Sequence, residues 1–193
     1  QMRHRAARQQ TLAGFMRILI ATVTAGGGHL AAAAALEEGW RAFRPNDMIE
    51  RLDVLKFFAP LHRKIYAEGY LQVADHAPEV WGMMFKKTDD PELARRLVRL
   101  KRALPSVPRK KFAGFLEKFK ADAVLCTHYL PLETLGWMRS EVARRTSKTG
   151  GDQAAPATPV VASIVTDFEA HALWMDSCVD LYCVAAESTK ARL

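Results

Sequence analysis

No stretch of about 18 uninterrupted apolar residues occurs in the 193-residue chain, so no segment reads as a membrane-crossing helix. Cysteine is scarce. Cys126, Cys178 and Cys183 form no CxxC pair, and each lies in or beside an apolar segment. Buried, reduced thiols are therefore expected rather than metal ligands, and an odd count without a framework suits a reducing cytoplasm. The lysine and hydroxyl of a GxxxxGK[ST] loop are also missing, which excludes a standard ATP or GTP phosphate loop. Acidic residues are outnumbered, 21 against 28 basic ones, for a net charge of +7.

What is present is a glycine run in an informative place. Val23-Thr24-Ala25-Gly26-Gly27-Gly28-His29 follows the apolar segment Ile18-Leu19-Ile20-Ala21 and precedes the helix-forming run Leu30-Ala31-Ala32-Ala33-Ala34-Ala35-Leu36. A strand, three glycines and a helix make a turn whose backbone can approach a polar group closely. The first N–H groups of the helix, lacking intrahelical partners, point into that turn. His29 stands where the positive end of the helix dipole favours neutral imidazole, the form that accepts a proton.

Along the chain the pattern is α/β. Strands are expected at residues 17–23, 48–54, 123–126, 160–165 and 181–184, with helices after the glycine turn and over 131–146 and a loop at 149–156. Such alternation predicts a Rossmann-like, doubly wound parallel sheet, with ligands at the carboxyl ends of the strands. Residues 1–15 read as a mobile basic tail with Met16 a plausible original start, and a chain that opens on Gln1 reads as a fragment. Residues 55–120 interrupt the rhythm as a helical insertion, with Pro91 and Pro108 each opening a helix. From Lys86 to Lys120 it carries twelve bases against four acids, which accounts for the whole charge excess. That segment implies a polyanionic partner, either anionic lipid or nucleic acid.

Three strand ends carry polar groups: residues 26–29, Thr127-His128-Tyr129, and Thr166-Asp167-Phe168 with His171 nearby. A carboxylate near an imidazole orients it or holds it charged, so Asp167 and His171 read as a pair, or else as a turn cap beside a surface histidine. His128 reads equally as a wall residue or a participant. Glu187-Ser188-Thr189 would bring hydroxyls to the same rim or cap a helix. Gly26, Gly28 and Ala31 also satisfy a loose GxGxxA, with Asp53 closing the next strand. A dinucleotide-binding oxidoreductase domain and a basic nucleic-acid-binding module thus remain alternatives.

Thr24-Ala25-Gly26-Gly27-Gly28-His29, then Thr166-Asp167-Phe168-x-x-His171-x-x-Trp174, then Val179-Asp180-x-Tyr182-x-Val184-Ala185 resembles the N-terminal domain of monogalactosyldiacylglycerol synthases. It is similar also to processive diacylglycerol glucosyltransferases. The resemblance spans roughly residues 16–193 and implies the N-terminal, acceptor- and membrane-side half of a GT-B fold. It implies an inverting hexosyltransferase that moves a sugar from a UDP-sugar to diacylglycerol or a similar lipid, without a further cofactor or a metal. His29 and Asp167 match its catalytic positions, Gly26, Gly27 and Gly28 its donor-phosphate loop, and His128, His171 and Trp174 its acceptor side or cleft. The donor would be bound mainly by a C-terminal domain, expected to be absent from these 193 residues, and the enzyme would sit peripherally on the inner face of the cell membrane. The residue after His29 departs from the family, which carries a polar residue where this chain has Leu30.

Overall fold

The computed structural model describes residues 14–24, 26–64, 66, 76, 79, 82, 83, 86, 88–148, 158–168 and 170–193. Five strands form one sheet: β1 (Arg17–Thr22), β2 (Met48–Asp53), β3 (Ala123–Cys126), β4 (Val160–Ile164) and β5 (Leu181–Cys183). Their spatial order is β2-β1-β3-β4-β5, and every neighbouring pair is parallel. From β1 the chain winds outward to β2, then returns to the other side of β1 for β3. The connections leaving β1 and β3 therefore diverge, which opens a crevice at their carboxyl ends. This is the Rossmann-like α/β architecture implied by the alternation.

The sheet is buried on both faces, as parallel sheets require. Ile18 and Ile20 of β1 join Ile49, Ala123, Leu125 and Ala162 on one face, beneath Ala33, Leu36 and Trp40 of α1 (Gly27–Phe43). Leu19, Ala21 and Val23 face the other way with Leu52, Val124, Cys126 and Val161. That side is covered by Phe112, Leu116 and Phe119 of α3 (Val107–Phe119) and by Leu132 and Leu135 of α4 (Leu130–Lys148). A short helix, α5 (Glu187–Arg192), follows β5.

The insertion supplies a 3-10 turn at Val54–Phe57, then α2 (Pro91–Ala103) and α3. Asp90 caps α2 by accepting from the N–H groups of Glu92 and Leu93, and Ser106 caps α3 through Arg109 N. Each helix has proline in its first turn, where no N–H is missed. Residues Ile65, Tyr70, Leu71, Trp81, Met84 and Phe85, the loop at 149–156 and residues 1–13 lie outside the described residues. Cys126 and Cys178 are buried as expected, but Cys183 is exposed, on the edge strand β5.

Candidate functional site

The crevice between β1 and β3 is built first from the glycine turn. Gly26 adopts φ +93°, a left-handed conformation that side chains rarely accept, and it precedes the first turn of α1. A Cβ built at Gly27 or Gly28 would meet no described atom within 4 Å, so their backbone lies open to an approaching group. No described side chain caps the start of α1, and its first turn holds no acidic residue. Two buried hydroxyls anchor the turn from below: Thr127 Oγ1 donates to Thr22 Oγ1 at 2.9 Å, and Thr22 Oγ1 donates to the His29 carbonyl at 3.3 Å.

His29 projects from that turn across the crevice. Its Nδ1 lies 2.8 Å from the Thr127 carbonyl, just past β3, and 2.8 Å from Thr166 Oγ1, just past β4. A carbonyl only accepts, so this contact places the proton on Nδ1 and the lone pair of the neutral ring on Nε2. No described residue bonds Nε2. That edge of the ring faces the glycine turn: a Cβ at Gly26 would stand 4.0 Å from Nε2. The imidazole is thus oriented by two loops and presents a basic nitrogen beside an uncapped helix start.

An aromatic cluster backs the ring. His128 packs edge-on against His29, their centroids 4.7 Å apart, and lies 4.3 Å from Tyr129. Trp174, fully buried, sits 6.3 Å from His29 and 6.2 Å from His128. Nδ1 of His128 accepts from Leu130 N at 3.0 Å, at the start of α4. Burial, and secondarily the neighbouring His29, pushes His128 down to about 3, so it stays neutral near pH 7. It lines the site as a neutral ring.

Asp167 and His171 do not form the expected pair, nor does either touch His29. Asp167 Oδ2 accepts from Trp174 Nε1 at 2.7 Å. His171 is buried, not at the surface; it caps the 3-10 turn at Ala172–Trp174 through Leu173 N at 3.1 Å, and its Nε2 lies 3.1 Å from Thr88 Oγ1. The reason is geometric, since the 3-10 turn folds Trp174 back over residue 167 and turns His171 toward the insertion. Thr189, expected at the rim, is buried and donates to the Phe168 carbonyl at 2.6 Å. Tyr182 OH donates to the Trp174 carbonyl, Asp89 accepts from Ala172 N, and Arg102 pairs with Asp176. The described residues of the loop bearing Thr166, Asp167 and Trp174 are therefore held at several points, which preorganises the wall of the crevice.

Sequence reasoning missed the groups that hold His29. A backbone carbonyl leaves no trace in a sequence, and Thr166 stood in the motif but drew no role beside its acidic neighbour. Asp53, the acid a dinucleotide site would need for a ribose, is committed elsewhere: it accepts from Thr24 Oγ1 at 2.6 Å and from Leu55 N at 2.9 Å. Among the described residues no three His, Cys, Asp or Glu side chains converge as a metal site. No helix among them is long and apolar enough to cross a membrane.

No curated protein and no solved structure gives a significant match to the chain. The family model described as monogalactosyldiacylglycerol (MGDG) synthase matches residues 29–193, beginning at the histidine of the glycine turn and taking in every strand after β1. The chain belongs to the MGDG synthase family of glycolipid glycosyltransferases.

Proposed function

We propose that this chain is the acceptor-side half of an inverting glycosyltransferase that moves a hexose from a UDP-sugar to the hydroxyl of diacylglycerol. The observation that carries this reading is the orientation of His29, whose Nδ1–H is held by the Thr127 carbonyl while Nε2 faces the glycine turn. In the proposed step Nε2 takes the proton of the lipid hydroxyl as its oxygen attacks the anomeric carbon. The new carbon–oxygen bond forms while the bond to the diphosphate breaks, and the electron pair leaves with UDP. The Thr127 carbonyl stabilises the imidazolium that results, and the open N–H groups at the start of α1 offset charge on the departing diphosphate. Asp167 acts as a positioning residue through Trp174. A C-terminal domain would bind most of the donor and close the crevice.

Membrane attachment fits the same reading. Leu93, Leu97 and Leu100 recur along one face of α2, Leu104 follows them at its C-cap, and all four are exposed, between 37% and 59%. Arg95, Arg96, Arg99, Lys101 and Arg102 share that helix, a composition suited to lying on anionic lipid. Nucleic acid would neutralise the cations but leave the leucines in water. Anionic vesicles should therefore outcompete duplex DNA for the chain at equal salt, and the opposite result would argue for the nucleic-acid alternative.

The test of catalysis uses the full-length enzyme. His29→Ala should lower kcat by about 10²–10⁴, the range of a lost general base, with KM for the lipid little changed. Near-normal turnover would remove His29 from the reaction.

A further inference from the structure

A cavity of about 360 Å³ lies on the α3–α4 side of the molecule, and none of its lining residues belongs to the glycine turn. Its size falls in the range of about 300–1,000 Å³ typical of small-molecule sites. Phe58, Tyr66, Leu104, Pro108, Phe112 and Leu130 make much of its wall. The charged residues that line it are largely engaged: Lys101 pairs with Glu133 at 2.8 Å, and Arg109 donates to the carbonyls of Lys101 and Leu104 and lies 5.0 Å over the Trp137 ring, with only its buried Nε left without a partner among the described residues. An aliphatic occupant suits such a lining better than an ionic one.

Two features say where that occupant comes from. Leu104 belongs both to the cavity wall and to the exposed leucine stripe of α2, and is 55% exposed. Val107, between lining residues Ser106 and Pro108, is 64% exposed. The rim thus carries Leu104 and Val107 beside the Lys101–Glu133 ion pair, and its apolar side is continuous with a leucine face that arginines flank, complementary to an anionic bilayer. On its inner side the cavity meets the site: Tyr66 OH lies 3.2 Å from Tyr129 OH, and Tyr129 packs on His128, which packs on His29.

We infer that this cavity takes one acyl chain of the lipid acceptor, withdrawn from the bilayer on which α2 lies. The inference rests on the lipid-acceptor reading above. Holding the tail there would keep the lipid beside the Tyr66–Tyr129 wall while its hydroxyl end reaches the crevice.

The experiment uses vesicles of anionic phospholipid containing diacylglycerol with a photoactivatable diazirine on one acyl chain. Adducts on the chain are mapped by mass spectrometry. Labelling at Phe112, buried at 3% exposure, is read as a ratio to labelling at the exposed Leu97, which corrects for vesicle attachment. The wild-type chain should label at both positions. Thr134→Phe, which puts a ring into the cavity, should lower the ratio about tenfold. If that variant does not fold, Leu104→Glu at the rim should lower the same ratio by a similar factor. Adducts confined to the α2 stripe would overturn the inference, as would an unchanged ratio in a folded variant. Equal labelling of Phe112 by a free diazirine fatty acid without vesicles would overturn the membrane source. Labelling as expected, with no sugar transfer to diacylglycerol by the full-length enzyme, would sink the catalytic reading and leave the cavity standing. Transfer without labelling at Phe112 would do the reverse.

Discussion

Helices α2 and α3 begin alike and end differently. Both are 13 residues long, both carry proline in the first turn behind a capping side chain, and both are basic. Yet α3 buries Phe112, Ala113, Leu116 and Phe119 against the sheet, whereas α2 buries Ala94 alone and leaves its three leucines, with Leu104 at the C-cap, in the open. The seam by which α2 docks is narrow: Ala94, half-buried Val98 and Arg102, at successive turns of one face. Arg102 fixes its end by lying across α4 at Gly136, where a Cβ would collide with the guanidinium, and by pairing with Asp176. Amphipathic spacing therefore says that a helix has an apolar face, not what that face meets. On α3 the face makes the core. On α2 it is held outward by a polar strut.

The largest expected effect tests the buried half of this contrast. Phe112→Ala should cost about 3–5 kcal/mol in urea unfolding, because a large core side chain leaves a cavity. Leu100→Ala, at 59% exposure, should stay within about 0.5 kcal/mol. Equal losses at the two positions would erase the distinction between the helices.

Next in size is the strut. The side chains of Arg102 and Asp176 are 18% and 7% exposed, so Arg102→Ala strands a carboxylate and should cost about 2–4 kcal/mol. The comparable pair on the outer face of α2, Arg96 with Glu92, is exposed at 68% and 64%, and Arg96→Ala should change stability by less than about 0.5 kcal/mol.

Acid separates the two regions in another way. The His128 ring titrates from an ordinary 6.5 when unfolded but is held to about 3 in the folded wall. The unfolded chain thus takes up a proton that the folded chain refuses. Stability from this group is complete above pH 6.5 and declines as pH falls from 6.5 towards 3. His128→Asn, which keeps an acceptor for Leu130 N, should flatten that decline in urea midpoints measured across the window. Helix α2 carries no histidine, so vesicle attachment through it should not follow the same curve.

The smallest effect on stability should carry a large one on binding. Leu97→Asp is expected to leave the unfolding midpoint nearly unchanged, because its face touches solvent. On the membrane reading it should weaken co-sedimentation with anionic vesicles about tenfold, through the lost apolar contact and the added like charge. Unchanged co-sedimentation would mean that the leucine stripe is not what meets the bilayer.

How much could be read in advance varies with the kind of interaction. The β1–turn–α1 unit was legible because Ile18 to Ala21, the glycines and the alanine run impose strand, turn and helix locally, whatever the rest of the chain does. The proline-opened starts of α2 and α3 were legible for the same reason, whereas their caps, Asp90 and Ser106, emerged only with the structure. The pairing of Asp167 with His171 was inferred from closeness in sequence, and the fold separates them: Trp174 takes the carboxylate, and Thr88 meets the imidazole. The partners of His29 come from residues 127 and 166, which only the order of the strands brings within reach.

The sequence by itself determined the parallel α/β framework, the glycine turn with its histidine and the basic insertion, since each follows from local backbone preference, apolar periodicity or the count of charges. Tertiary structure alone decided which nitrogen of His29 holds the proton, which residues wall the crevice, and that one amphipathic helix faces inward while its neighbour faces out. Those outcomes depend on contacts between segments up to 137 residues apart, and hydrogen-bond geometry exists only once the sheet order is set.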